Sequence, residues 1–231
     1  MLLRLMLLAA LAVAFVGCGH GGNSPEVATT GVPASNIVSP APTPQQTDTR
    51  PAVVAFGDSL SAGFGLDPGK SFPDDLQRLI DKAGYRYHVV NMGVSGDTTT
   101  DGVERLPSVV ALKPAVVILE FGGNDGLRGQ PVSSAKQNMA KMIEALQSSG
   151  AQVVIAGMTL PRNYGPEYIH SFEQMYVELA KQYRLVRIPF LLDGVGGVDH
   201  LMQPDGLHPT AQGAEIVAQT VMRYLQQVLR R

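Results

Sequence analysis

Apolar residues along this chain fall into two rhythms. From residue 51 onward, five short and near-continuous runs recur, at Ala52 to Phe56, Tyr87 to Asn91, Ala115 to Glu120, Ala151 to Gly157 and Leu185 to Ile188. Runs that are apolar at successive positions are the mark of strands covered on both faces, as in a parallel sheet. Between the runs the spacing turns helical. Ser71 with Asp74 forms a capping-box pattern ahead of Leu76, Leu79, Ile80 and Ala83, and Gly84 stops that helix. Met139, Met142, Ile143 and Leu146 form a second stripe, and Ile169, Phe172, Tyr176 and Leu179 a third. A last helix opens near Pro209 and carries Ile216, Val217, Thr220, Val221, Tyr224, Leu225 and Val228. Strands alternating with helices through right-handed crossovers predict a three-layer α/β/α sandwich. With five strands the expected sheet is flavodoxin-like and parallel, in the order 2-1-3-4-5, with ligands gathered at the carboxyl ends of the strands.

The first fifty residues follow neither rhythm. Arg4 precedes twelve apolar residues, Leu5 to Val16, a length suited to the core of a signal peptide and too short to span a bilayer comfortably. The segment closes on Phe15-Val16-Gly17-Cys18, which resembles a bacterial lipobox, with Phe15 where an aliphatic residue is usual. That resemblance implies a signal peptide at 1–17 and lipidation of Cys18. The alternative is a free cysteine after an ordinary signal peptide, or an uncleaved anchor. Residues 19–50 have no Leu and no Phe, Tyr or Trp and are rich in Pro, Gly, Ser and Thr, too little apolar surface to order a segment. As a tether they would reach roughly 30 Å. The expected organisation is therefore a signal peptide at 1–17, a lipidated cysteine and linker at 18–50, and one folded domain at 51–231.

Composition narrows the chemistry. The net charge of −2 gives no basic surface for tracking phosphates, so no nucleic-acid partner is expected. One cysteine excludes an intrachain disulfide and a cysteine-based zinc site, and the five histidines show no paired ligand spacing. No metal, no cofactor and no obligate protein partner are expected.

Three short blocks remain. Gly57-Asp58-Ser59-Leu60 follows the first strand, Gly122-Gly123-Asn124-Asp125 follows the third, and Asp205-Gly206-Leu207-His208 precedes the last helix. Taken singly, Ser59 is equally a turn or N-cap serine, Asn124 a turn amide, Asp205 a turn residue and His208 a helix-start histidine. Taken together they supply the parts of an acyl-transfer site. Ser59 would be the nucleophile, His208 its base, Asp205 the group that orients the base, and Asn124 a donor to an oxyanion. Gly96, in the turn after strand 2, is a candidate second donor through its N–H. No G-x-S-x-G elbow is present, which argues against the α/β-hydrolase fold.

In this order the blocks resemble those of the SGNH hydrolases, also called the GDSL family. Ser59, Gly96, Asn124, Asp205 and His208 each match a functional position of that family. The longer runs Gly57 to Gly63, Ser95 to Thr98, Gly122 to Gly129 and Leu160 to Gly165 resemble its thioesterase/lysophospholipase/arylesterase branch. The resemblance covers 52–229 and implies a serine esterase acting through an acyl-enzyme on Ser59, with the oxyanion held by the N–H groups of Ser59 and Gly96 and by the Asn124 amide. The loops after strands 3 and 4 are expected to line the acyl site, with Arg128, Asn163 and Tyr164 as substrate contacts. The substrate is expected to be a small acyl ester or thioester, of lipid or aryl type. The alternatives are an O-acetylesterase acting on envelope polysaccharide and a catalytically silent lipid- or glycan-binding module. The leader places the domain outside the cytoplasm on a membrane, and Gly19 after Cys18 favours the outer membrane by resemblance.

Overall fold

In a computed structural model, which describes residues 48–231, the apolar runs become one five-stranded sheet: β1 (Ala52–Gly57), β2 (His88–Asn91), β3 (Val116–Glu120), β4 (Gln152–Ala156) and β5 (Val186–Ile188). Every neighbouring pair is parallel and the order is β2-β1-β3-β4-β5, as the sequence predicts. The signal peptide, Cys18 and the linker up to residue 47 lie outside the described residues.

The two-residue period of a strand sorts the apolar runs onto two faces. Val53 and Ala55 of β1 and Val116 and Ile118 of β3 pack on one side, against α2 (Phe72–Lys82) and α7 (Ala211–Leu225). Val54 and Phe56 of β1 and Val117 and Leu119 of β3 pack on the other, against α3 (Thr99–Ala111), α5 (Val132–Ser148) and α6 (Pro166–Tyr183). These are the three layers expected. Among the described residues no helix is long and apolar enough to cross a membrane.

Four elements depart from the sequence pattern. Helix α3 fills a stretch where no helix is expected, because Gly102 and Pro107 interrupt its pattern. It starts on a capping box of Thr98 and Asp101, and Gly102 lets it approach closely, since a Cβ there would meet Met142 Sδ at 2.9 Å and the Phe121 ring at 3.0 Å. The short helices α1 (Ser59–Ala62) and α4 (Gly123–Leu127) leave the ends of β1 and β3. Helix α7 begins at Ala211 rather than at Pro209: Thr210 caps it, and Pro209 instead pairs with Met202 in an isolated bridge. Its buried stripe includes Ala214, Ala218 and Met222, Ile216 and Tyr224 are only half-buried, and the helix ends before Val228.

Candidate active site

Ser59 stands where β1 gives way to α1. Asp58 is the N-cap, its Oδ1 accepting from the Leu60 N–H at 3.1 Å, so Ser59 becomes the first helical residue at the carboxyl edge of the sheet. Gly57 is required by proximity: a Cβ there would lie 2.2 Å from Glu120 Oε2 and 2.5 Å from Ser61 Oγ.

The block from Asp205 to His208 folds into a turn that brings its carboxylate and imidazole together. Asp205 Oδ1 accepts from the N–H groups of Leu207 at 2.9 Å and His208 at 3.0 Å, and Oδ2 lies 2.6 Å from His208 Nδ1. Burial pushes the Asp205 acid up, but the bonds from the His208 ring and the two N–H groups outweigh it and hold the acid down to about 2. An ionised Asp205 fixes the neutral imidazole with its proton on Nδ1 and leaves Nε2 as an acceptor. That Nε2 lies 2.8 Å from Ser59 Oγ, across 149 residues of sequence. Phe64 packs beside the imidazole, with ring centroids 4.6 Å apart.

Asn124 belongs to α4, which begins after Gly122 at φ 109°. Its Nδ2 donates to Asp58 Oδ2 at 3.1 Å and to the Asp97 carbonyl at 2.9 Å. A substrate oxygen entering beside Ser59 therefore competes with the Asp97 carbonyl for this amide. Gly96 sits in the exposed turn just before Asp97, at φ 88°, and lines the same cleft.

Ser59, Gly96, Asn124 and His208 open onto a cleft of about 670 Å³, within the usual range for small-molecule sites. Its apolar walls include Phe64, Leu160, Phe190, Leu192, Met202 and Leu207. Of the loops expected to line it, Leu127 and the stretch from Thr159 to Arg162 do so. Arg128, Asn163 and Tyr164 do not. The Arg128 guanidinium donates to the Gly96 carbonyl at 2.9 Å, Asn163 is exposed on a 3₁₀ turn, and the Tyr164 hydroxyl donates to the Leu127 carbonyl at 2.7 Å. Arg128 and Tyr164 are thus spent on holding loops. Among the described residues no group of three His, Cys, Asp or Glu side chains gathers in a metal-sized cluster.

Several residues that build the site have no counterpart in the sequence expectations. Gln203 Nε2 donates to the carbonyls of Phe64 at 2.7 Å and Pro209 at 2.9 Å, joining the serine loop to the histidine loop. Asp125 accepts from Thr99 N at 2.9 Å and Thr99 Oγ1 at 2.6 Å, fastening α3 to α4. Arg105 bonds Asp97 at 2.6 Å and the carbonyls of Met92 at 3.0 Å and Gly57 at 3.2 Å, which anchors the turn carrying Gly96. Asp58, Asp125 and Gln203 stand inside or beside the recognised blocks, and that adjacency was the one signal available.

Known proteins place this geometry in a family. Residues 55–216 match the GDSL-like Lipase/Acylhydrolase family. Esterase TesA of Pseudomonas aeruginosa is 46% identical over 158 residues, covering 68% of this chain and 79% of that protein. An arylesterase of Vibrio mimicus is 38% identical, covering 75% of this chain and 89% of its own length. Thioesterase 1/protease 1/lysophospholipase L1 of Escherichia coli K12 is 33% identical, covering 75% and 83%. A crystal structure of TesA superposes with a TM-score of 0.75 at 42% identity, covering 77% of this chain and 99% of that one. With its sheet order, its blocks and its relatives in agreement, the chain belongs to the GDSL-like lipase/acylhydrolase family.

Proposed function

We propose that this protein is a serine esterase that cleaves carboxylic esters, or thioesters, through an acyl-enzyme on Ser59. The observation that carries this reading is the continuous path from Asp205 Oδ2 to His208 Nδ1 at 2.6 Å and from His208 Nε2 to Ser59 Oγ at 2.8 Å, on the wall of a largely apolar cleft. His208 Nε2 takes the Ser59 proton as Oγ bonds to the substrate carbonyl carbon, and the carbonyl electrons move onto oxygen. The resulting oxyanion is stabilised by the Ser59 and Gly96 N–H groups and by Asn124 Nδ2, which exchanges its bond to Asp97 for one to substrate. The bond to the leaving oxygen or sulfur breaks as Nε2 returns the proton to it. Water then repeats the sequence on the acyl-enzyme, freeing the acid and restoring Ser59. Asp205 stays ionised and stabilises the imidazolium formed in both halves.

The cleft walls favour an apolar acyl or aryl group, hence lipid or aryl esters over sugar acetates. The leader sequence supports the further proposal that Cys18 is lipidated and that residues 18–50 tether the enzyme on a membrane outside the cytoplasm, the outer membrane in a Gram-negative cell.

A series of p-nitrophenyl esters of increasing acyl length, with wild type beside Ser59→Ala, tests the reading. kcat/KM should rise beyond the two-carbon ester, and Ser59→Ala should lose turnover while keeping its melting temperature. A sharp maximum at acetate would point to a sugar O-acetylesterase. Turnover surviving in Ser59→Ala would remove Ser59 as nucleophile.

A further inference from the structure

Two buried acids lie directly behind Ser59, and the mechanism above gives Glu120 no part. Glu120, the last residue of β3, is wholly buried, and Asp58 is 3% exposed. Among the described residues neither forms an ion pair with Lys or Arg. The Asp58 N–H nevertheless donates to Glu120 Oε2 at 3.1 Å, which makes the two acids neighbours, and two adjacent buried carboxylates without a cation cannot both ionise. One proton must be shared, and the surrounding donors show which oxygen carries it.

Asp58 is furnished as an anion. Its Oδ1 accepts from the Leu60 N–H at 3.1 Å and its Oδ2 from Asn124 Nδ2 at 3.1 Å. Glu120 is furnished as an acid. Oε2 accepts from Asp58 N at 3.1 Å, Ser61 N at 3.3 Å and Ser61 Oγ at 2.9 Å, the role of a carbonyl oxygen. Oε1 is buried with no donor at all, which a carboxylate oxygen would not tolerate but a hydroxyl oxygen does. We propose that Glu120 is a positioning residue for the oxyanion site: as a neutral acid it donates to Asp58, leaving Asp58 the single carboxylate that orients the Asn124 amide. This rests on reading Asn124 as an oxyanion donor.

The groups facing the pair agree. Ser61 on α1 and the Asp58 N–H only donate to Glu120. From α6, the Tyr176 hydroxyl is committed to the Phe121 carbonyl at 2.9 Å, and burial keeps it a phenol. From α4, Asp125 is occupied by Thr99. From α3, Arg105 is paired with Asp97 and otherwise donates to the carbonyls of Met92 and Gly57. Burial pushes the Asp58 acid up as well, and the Leu60 N–H draws it back. Burial first, and then the Asp58 charge, push the Glu120 acid well above its ordinary range.

The unfolded chain releases the Glu120 proton above about pH 4.3, whereas the folded chain keeps it, so Glu120 costs stability increasingly as pH rises. Glu120→Gln, which keeps an acceptor for the three donors and an N–H for Asp58, has no proton to lose.

The test compares full-length wild type, Glu120→Gln and Glu120→Ala. Wild type at neutral pH should show the infrared carbonyl stretch of a protonated carboxylic acid, and Glu120→Gln should lack that band. The melting temperature of Glu120→Gln relative to wild type should rise between about pH 5 and pH 8. Glu120→Gln should keep kcat within a few-fold, whereas Glu120→Ala should lose about 10²-fold in kcat, the size of a lost oxyanion donor, with KM little changed. Absence of the band, a melting difference flat in pH, or a Glu120→Gln enzyme as impaired as Glu120→Ala would overturn the proposal. Should Glu120→Ala fail to fold, the infrared and melting comparisons decide alone. They also stand apart from the nucleophile: a wild type that shows the band yet turns over no ester refutes the esterase reading and leaves the protonated Glu120 in place.

Discussion

Gln203 reaches back across 139 residues to the serine loop, its side-chain amide donating to the Phe64 carbonyl at 2.7 Å. The same nitrogen donates to the Pro209 carbonyl at 2.9 Å, and the Gln203 N–H to the His208 carbonyl at 2.7 Å. One residue therefore sets the distance between the loop that carries Ser59 and the loop that carries His208. The bond to Phe64 is exposed, where water can replace it, and the bond to Pro209 is only part-buried, so the consequence falls on alignment more than on stability.

Gln203→Ala should lose about 10- to 100-fold in kcat/KM, since ångström-scale misplacement of reacting groups costs on that order. Its loss of stability should stay near 1 kcal/mol. Ester kinetics beside urea denaturation separate the two effects. Near-normal kcat/KM in a folded variant would show that the loops hold their spacing without this residue.

Gly57→Ala places a methyl group against Glu120 Oε2, Ser61 Oγ and the Glu120 carbonyl, the last at 2.6 Å. Two of those neighbours are buried side-chain oxygens and one is backbone in the centre of the sheet, so none moves cheaply. The expected cost is about 3 kcal/mol, read as a lower urea midpoint with little change of slope.

Tyr176→Phe removes the donor to the buried Phe121 carbonyl, one residue before the Gly122-Gly123 turn that launches α4. An orphaned buried carbonyl costs about 1 to 3 kcal/mol. Chemical denaturation should register that loss, and an unchanged midpoint would mean that another donor reaches Phe121.

Asp205 sets the acid behaviour. Its acid is held down to about 2 in the fold, below the ordinary range, so the fold binds this proton less readily than the unfolded chain does. The stability it contributes is complete above about pH 4 and disappears as pH falls through about 2. The stability difference between wild type and Asp205→Asn should therefore shrink over that window and stay level above it. At neutral pH Asp205→Asn should also lose about 10²- to 10⁴-fold in kcat, because the amide no longer selects the tautomer or balances the imidazolium. A stability difference that grows on acidification would contradict the assignment.

What the sequence discloses, and what it withholds, follows from the range of the interactions. Val54 and Leu119 are readable as strand residues because a doubly covered strand is apolar at every position, a local signal. Ser59, Asn124, Asp205 and His208 are readable because each block carries its own turn chemistry and the blocks occur in order. Helix α3 is hidden because Gly102 serves packing against Met142 and Phe121, a contact made only in three dimensions. Arg128 and Tyr164 look like ligand contacts, being polar loop residues near a site, yet both bond to backbone carbonyls of neighbouring loops. The wall formed by Phe190, Leu192, Met202 and Leu207 comes from a segment with no periodic pattern. Glu120 reads as the polar end of an apolar strand, and only its burial beside Asp58 exposes its role.

The most direct measurement of the central claim is covalent labelling of the full-length protein with a fluorophosphonate probe, followed by peptide mass mapping, beside Ser59→Ala and His208→Ala. The account predicts one adduct, on the peptide containing Ser59, absent from Ser59→Ala and strongly slowed in His208→Ala. An adduct elsewhere, or a wild type that reacts no faster than His208→Ala, would contradict it.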